Sequence, residues 1–245
     1  TKTTVQLTQD IDLSGKLWLP IANLSGTVIS LDGNGHKITN MTVNGGQDAG
    51  LFGDAYLATI QDLTIEGNIF VTEETQYAGG LAGRAIGQAT ADVILDNVAV
   101  KVNISGEGGS TLYAGGLAGR ILLNWGGKAA LLTVQDCKAE GKIEVDGTTV
   151  YAGGLAGDFL TQNSGTMTVA DGCVSTVEID VDATTSYVGG LYGQWSPSNT
   201  NSRYIAVNNG ATGAITVNGS NSEGTRTAYV GGLVGSLNSN AMGWA

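Results

Sequence analysis

The sequence predicts an all-β chain wound as a single-stranded, right-handed parallel β-helix (a solenoid) with variable outward loops. Three observations carry this. The heptapeptide YAGGLAG occurs at Tyr77–Gly83, Tyr113–Gly119 and Tyr151–Gly157, with relatives at Tyr187–Gly193 and Tyr229–Gly235. Between copies runs a second pattern that aligns without gaps at Asp62–Val71, Asn97–Gly106, Asp136–Val145, Gly172–Val181 and Asn208–Val217. Within it apolar and polar residues alternate, the two-residue period of a half-buried strand.

The elements follow in order. Residues 1–48 supply N-terminal turns and a cap, residues 49–235 the repeats, and residues 236–245 a tail, all in one domain. The clipped copy AGLFG at Ala49–Gly53 opens the repeats. The second pattern stacks Ile69, Ile104, Ile143, Ile179 and Ile215 in one column, at steps of 35, 39, 36 and 36 residues. Repeats of that length signal solenoids, propellers or arrays. A propeller needs hairpin turns between antiparallel strands, and these are missing. Parallel turns at ~4.8 Å spacing put like residue on like and make the isoleucines an internal ladder. The first column (Asp62, Asn97, Asp136, Gly172, Asn208) is turn chemistry, tolerant of a left-handed backbone. No segment keeps a 3.6-residue period, so almost no helix is expected.

The heptapeptide is read as a tight corner. Its leucine enters the core, and its glycines serve both crowding between turns and positive φ. The corner set is Gly80, Leu81, Gly83; Gly116, Leu117, Gly119; Gly154, Leu155, Gly157; Gly190, Leu191, Gly193; and Gly232, Leu233, Gly235. The tyrosines that open each copy form an aromatic stack. The stretch between each heptapeptide and the next Asp/Asn/Gly position varies in length and is read as an outward loop.

Composition narrows the function. The chain has 245 residues, 39 glycines and a net charge of −11. That balance argues against nucleic acid and anionic lipid, which need basic patches. No apolar run reaches the ~18 residues of a membrane span. The chain opens on strand-like sequence, so an export signal and any anchor are expected outside it. Two cysteines make neither a disulfide framework nor a zinc site. Cys137 and Cys173 share a column in consecutive turns, and parallel stacking points both Cβ atoms the same way, so two reduced, buried thiols are expected.

The heptapeptide resembles the GLUG motif of bacterial surface proteins, named for its G-L-x-G core and also found beside some IgA-cleaving peptidases. It matches at Gly50–Gly53, Gly80–Gly83, Gly116–Gly119, Gly154–Gly157, Gly190–Gly193 and Gly232–Gly235. The opening DIDLSGKLWLPI, Asp10–Ile21, followed by Ser30–Val43, resembles the start of many such β-helical proteins. The resemblance implies a secreted or surface-attached, adhesin-like bacterial module and supplies no catalytic residue. The expected role is non-catalytic presentation of loops to a host or matrix protein or a glycan. The alternatives are a carbohydrate-active β-helix that binds or cleaves polysaccharide, and a passive stalk.

Site candidates are few. His36, the single histidine, sits between turn glycines and is read as structural. Glu144 and Asp146 alternate on one strand, and Glu178, Asp180 and Asp182 on the next. Stacking sets like charges side by side, which Ca²⁺ would relieve and which otherwise form a solvated acidic face. No other cofactor is expected. Trp125, Trp195 and Trp244 lie in irregular stretches, and Trp125 and Trp195 are read as loop aromatics for ligand contact. Trp18 is read as core. Arg84, Arg120 and Asp158 share one column and are read as a salt-bridge ladder.

Overall fold

The computed structural model describes residues 2–22, 28–88, 92–124, 131–161, 167–197, 203–218 and 226–237. Among them there is no helix, and every strand pairing is parallel. One turn shows the plan. Leu131–Gln135 forms a first face, and the chain bends at Asp136. Lys138–Gly153 covers a second face and, past residue 147, a third. A tight corner at Gly154 and Leu155 leads into Ala156–Thr161, the fourth face.

The first face stacks seven segments: Lys2–Gln6, Val28–Asp32, 57–61, 93–96, Leu131–Gln135, Met167–Asp171 and Arg203–Val207. Register runs like on like, as a one-repeat offset demands. Ile69 pairs with Ile104, Ile104 with Ile143, Ile143 with Ile179 and Ile179 with Ile215. The first four are at most 1% exposed. Leu81, Leu117, Leu155 and Leu191 form a second buried column, at most 2% exposed.

From Asp62 onward, the bend between the first two faces uses a left-handed residue in each of five successive turns. Asp62, Asn97, Asp136 and Asn208 have φ of 50°, 51°, 50° and 55°, and Gly172 has 66°. Asp and Asn reach this region at low cost because their short polar side chains bond locally. The column also bonds across turns: Asn97 Nδ2 donates to Asp62 Oδ1 at 2.7 Å.

The heptapeptide glycines have a different reason, and half of the expectation for them fails. None lies at positive φ among the described residues; the left-handed glycines are Gly15, Gly35, Gly45, Gly46, Gly106, Gly141 and Gly172. What excludes a side chain at the corner is backbone from neighbouring turns. A Cβ on Gly154 would lie 2.2 Å from the Gly190 carbonyl oxygen, and one on Gly190 would lie 2.2 Å from that of Gly232. The corner backbones approach closely because they bond each other: Leu117 N–H donates to Leu155 O and Leu155 N–H to Leu191 O, both at 2.9 Å.

Candidate functional site

Two outward surfaces gather polar side chains. The first comes from the second face. Register places Lys142 beside Glu178, Glu144 beside Asp180, and Asp146 between Glu107 and Asp182. With Ser105, Gly106 and Asn218, the four carboxylates Glu144, Asp146, Asp180 and Asp182 line a groove of about 380 Å³. The alternation that buries Ile143 and Val145 turns Glu144 and Asp146 outward.

Its charges are partly answered. Lys142 Nζ bonds Glu144 Oε2 at 2.6 Å, Asn218 Nδ2 donates to Asp180 Oδ1 at 2.8 Å, and Arg226 Nη1 pairs with Asp182 Oδ1 at 3.0 Å. Partial burial, then the neighbouring Asp182 and Glu107, hold the Asp146 carboxyl above the usual range. The hydrogen bond to Glu144 raises Lys142, keeping it charged and poorly suited as a base. Among the described residues, no group of three or more His, Cys, Asp or Glu is placed to hold a metal ion.

The second surface flanks the glycine corner. Tyr77, Tyr113, Tyr151, Tyr187 and Tyr229 stack with ring centroids 5.2, 4.6, 4.5 and 4.8 Å apart and planes within 11°. Inside the ladder the faces cover each other, so Tyr113, Tyr151 and Tyr187 offer ring edges to solvent; sugar stacking requires an open face. Desolvation, then the neighbouring tyrosines, pushes Tyr151 up to about 12.

Beside this ladder runs the column Asp54, Arg84, Arg120, Asp158. Arg84 pairs with Asp54 and Arg120 with Asp158, the latter at 2.8 Å, so the two arginines point their charge at opposite partners. Arg120 also lies 4.2 Å from the Tyr113 ring centroid and donates to the Tyr77 hydroxyl at 3.2 Å. Asp158 is 1% exposed, and burial raises its carboxyl despite Arg120. The expected salt ladder is present, with two members the sequence reading missed. Asp54 follows Gly53 as Arg84 follows Gly83, which was the available signal. Asp48 occupies the tyrosine column beside Tyr77 and joins the salt ladder through Arg84, whose Nε lies 3.8 Å from its Oδ1.

Trp195 is a correction. It lies in the strand Tyr192–Pro197, is 9% exposed and packs on Phe159 and Tyr192 with centroids 5.5 and 5.6 Å away. Its column is apolar in each turn (Ala85, Ile121, Phe159, Leu237), so it fills the core and offers no loop surface. Trp125 and Trp244 lie outside the described residues. Trp18 packs against the core and donates Nε1–H to Leu51 O at 3.0 Å. His36 Nδ1 bonds Asp10 Oδ1 at 3.0 Å beside the turn at Asn34. Cys137 and Cys173 are buried free thiols, donating to the Gln135 and Val134 carbonyls at 3.3 Å.

No helix among the described residues is long and apolar enough to cross a membrane. No family model, curated protein or solved structure matches the chain.

Proposed function

We propose that the chain is a non-catalytic, adhesin-like module of a secreted or surface-attached bacterial protein, of the kind its GLUG-like heptapeptides resemble. One observation carries the reading: the strands flanking the variable connections stay in register from turn to turn. Gln88 pairs with Asn124, and Leu131 with Met167 and Met167 with Arg203 on the other side. The connections between Gln88 and Val93, Asn124 and Leu131, Thr161 and Met167, and Pro197 and Arg203 therefore leave and rejoin the ladder along one edge. They have four, six, five and five residues. The repeated residues are consumed by stacking, which leaves the variable ones as the residues free to differ from turn to turn, the kind that carries recognition in repeat proteins. Trp125 lies in the longest of these four connections.

The partner class is a host or matrix protein or a neutral glycan. The acidic groove and the net charge of −11 repel acidic polysaccharide, and the Lys142–Glu144 pair leaves that groove without a neutral amine. The test is a glycan and matrix-protein array. Binding that falls tenfold or more in Trp125→Ala, with melting unchanged, is the expected result. Product released from a polysaccharide, and lost in Asp180→Asn, would establish the carbohydrate-active alternative instead.

A further inference from the structure

The C-terminal end of the ladder is unlike any internal turn. Positions that are buried one turn earlier are open there. Val188 is 0% exposed and its register partner Val230 is 52%; Leu191 is 2% and Leu233 is 47%; Trp195 is 9% and Leu237 is 45%. Among the described residues, every strand from Arg203 to Leu237 pairs on one side only.

The glycines say what fits there. At internal corners the second glycine is required by the carbonyl of the following turn. A Cβ on Gly116, Gly154 or Gly190 would lie 2.3, 2.2 or 2.2 Å from the carbonyl oxygen of Gly154, Gly190 or Gly232. At Gly232 a Cβ meets no described atom within 4 Å, and its φ is not left-handed. Among the described residues, neither crowding nor conformation accounts for glycine at this position. Four of these five strands also lack the charges that usually protect a free sheet edge: Gly210–Ala211, Ile215–Asn218, Thr227–Gly231 and Val234–Leu237 contain no Asp, Glu, Lys or Arg, and only Arg203–Val207 carries one.

We infer that the C-terminal end is the acceptor half of a turn-to-turn interface, and that its occupant is one further parallel turn of this repeat, joined in cis. That turn carries a Gly-Gly-Leu-x-Gly corner whose first carbonyls sit over Gly232, and aliphatic residues that continue the Ile215, Val217, Val230 and Leu233 columns. A second copy fits less well. Its N-terminal turn, within residues 2–22, has no Gly-Gly-Leu-x-Gly corner.

The test compares the chain as it is with one extended after Ala245 by a duplicate of residues 202–237. In the extended chain, amides of 227–237 exchange at least about tenfold more slowly, approaching those of 185–195. Gly232→Ala is neutral in the original chain and lowers the melting temperature of the extended chain as Gly190→Ala does. Unchanged exchange at 227–237, or equal effects of Gly232→Ala in both chains, would overturn the inference. So would sedimentation of the original chain as a dimer with 227–237 already protected, which would make a second copy the occupant.

Discussion

Replacing Gly154 by alanine and by asparagine separates the two reasons for a glycine corner. The added Cβ would sit 1.9 Å from Ser175 Oγ and 2.2 Å from Gly190 O, where real contacts do not fall below 3.0 Å. The serine hydroxyl can rotate away, although Ser175 Cβ, 2.6 Å from the added carbon, moves only with its backbone. The carbonyl cannot, because the adjoining Leu155 N–H to Leu191 O bond at 2.9 Å fixes the distance between these turns. Relief of about 0.8 Å must come from separating two turns. Overpacking of this kind costs about 1–3 kcal/mol. Weakening the Gly116 N–H to Gly154 O bond, 3.1 Å, adds about 1 kcal/mol. Alanine should therefore cost about 3 kcal/mol, and asparagine more. A conformational origin gives the opposite order, because asparagine enters the left-handed region far more readily than alanine. The assay is urea unfolding, with amide exchange at 113–119 and 187–193 to localise the damage, since stacked repeats can lose cooperativity. Asparagine tolerated better than alanine, or a cost under about 1 kcal/mol for both, would refute the steric account.

Other outcomes follow from the same geometry. Ile143→Asp puts a carboxylate between Ile104 and Ile179 and should cost about 4 kcal/mol or more, against under about 1 kcal/mol for the half-buried Thr149→Ala; comparable melting temperatures would remove the isoleucine ladder. Asp146 has a raised carboxyl pKa, so its ionised form is disfavoured on folding and weakens the fold as pH rises above 3.8 through the folded value. Asp146→Asn should therefore stabilise by a few tenths of a kcal/mol at pH 7 and low salt, with the gain vanishing near pH 3 and at high salt; a gain that persists at pH 3 contradicts this. Thiol titration should find no reactive cysteine in the folded protein and two in denaturant without reductant; none in denaturant would mean that Cys137 and Cys173 are bridged.

The columns were legible because parallel stacking turns sequence period into spatial register. Ile69 through Ile215, the Asp/Asn/Gly bends, the tyrosine stack and the paired Glu144–Asp180 all follow from one alignment. What failed needed the third dimension. Glycine tolerates both crowding and positive φ, and the letter alone does not say which is in force. At Asp136 and Gly172 the backbone is left-handed; at Gly154 it is not, and a carbonyl above decides. Trp195 misled because GQWSPSN contains serine, proline and asparagine and reads locally as loop. The apolar column through Ile121 and Phe159 was present in the sequence and places it in the core. Asp48 was hidden because the first corner is one residue short, which breaks the alignment at that point.

The direction of the backbone bonds has a mechanical consequence. They run from turn to turn, along the long axis of the stack. Tension that pulls the chain out from one end therefore loads these bonds one after another, and the terminal turn bears the force before its neighbours. Turns peel singly, in the geometry of unzipping. Ile143 and Ile179 mark one 36-residue period. A released period can extend by up to about 120 Å, while the turns behind it keep their register. Held between two anchors, such a chain yields in steps and lengthens before its core is lost. Force across the axis would instead shear many bonds at once and meet a stiff body.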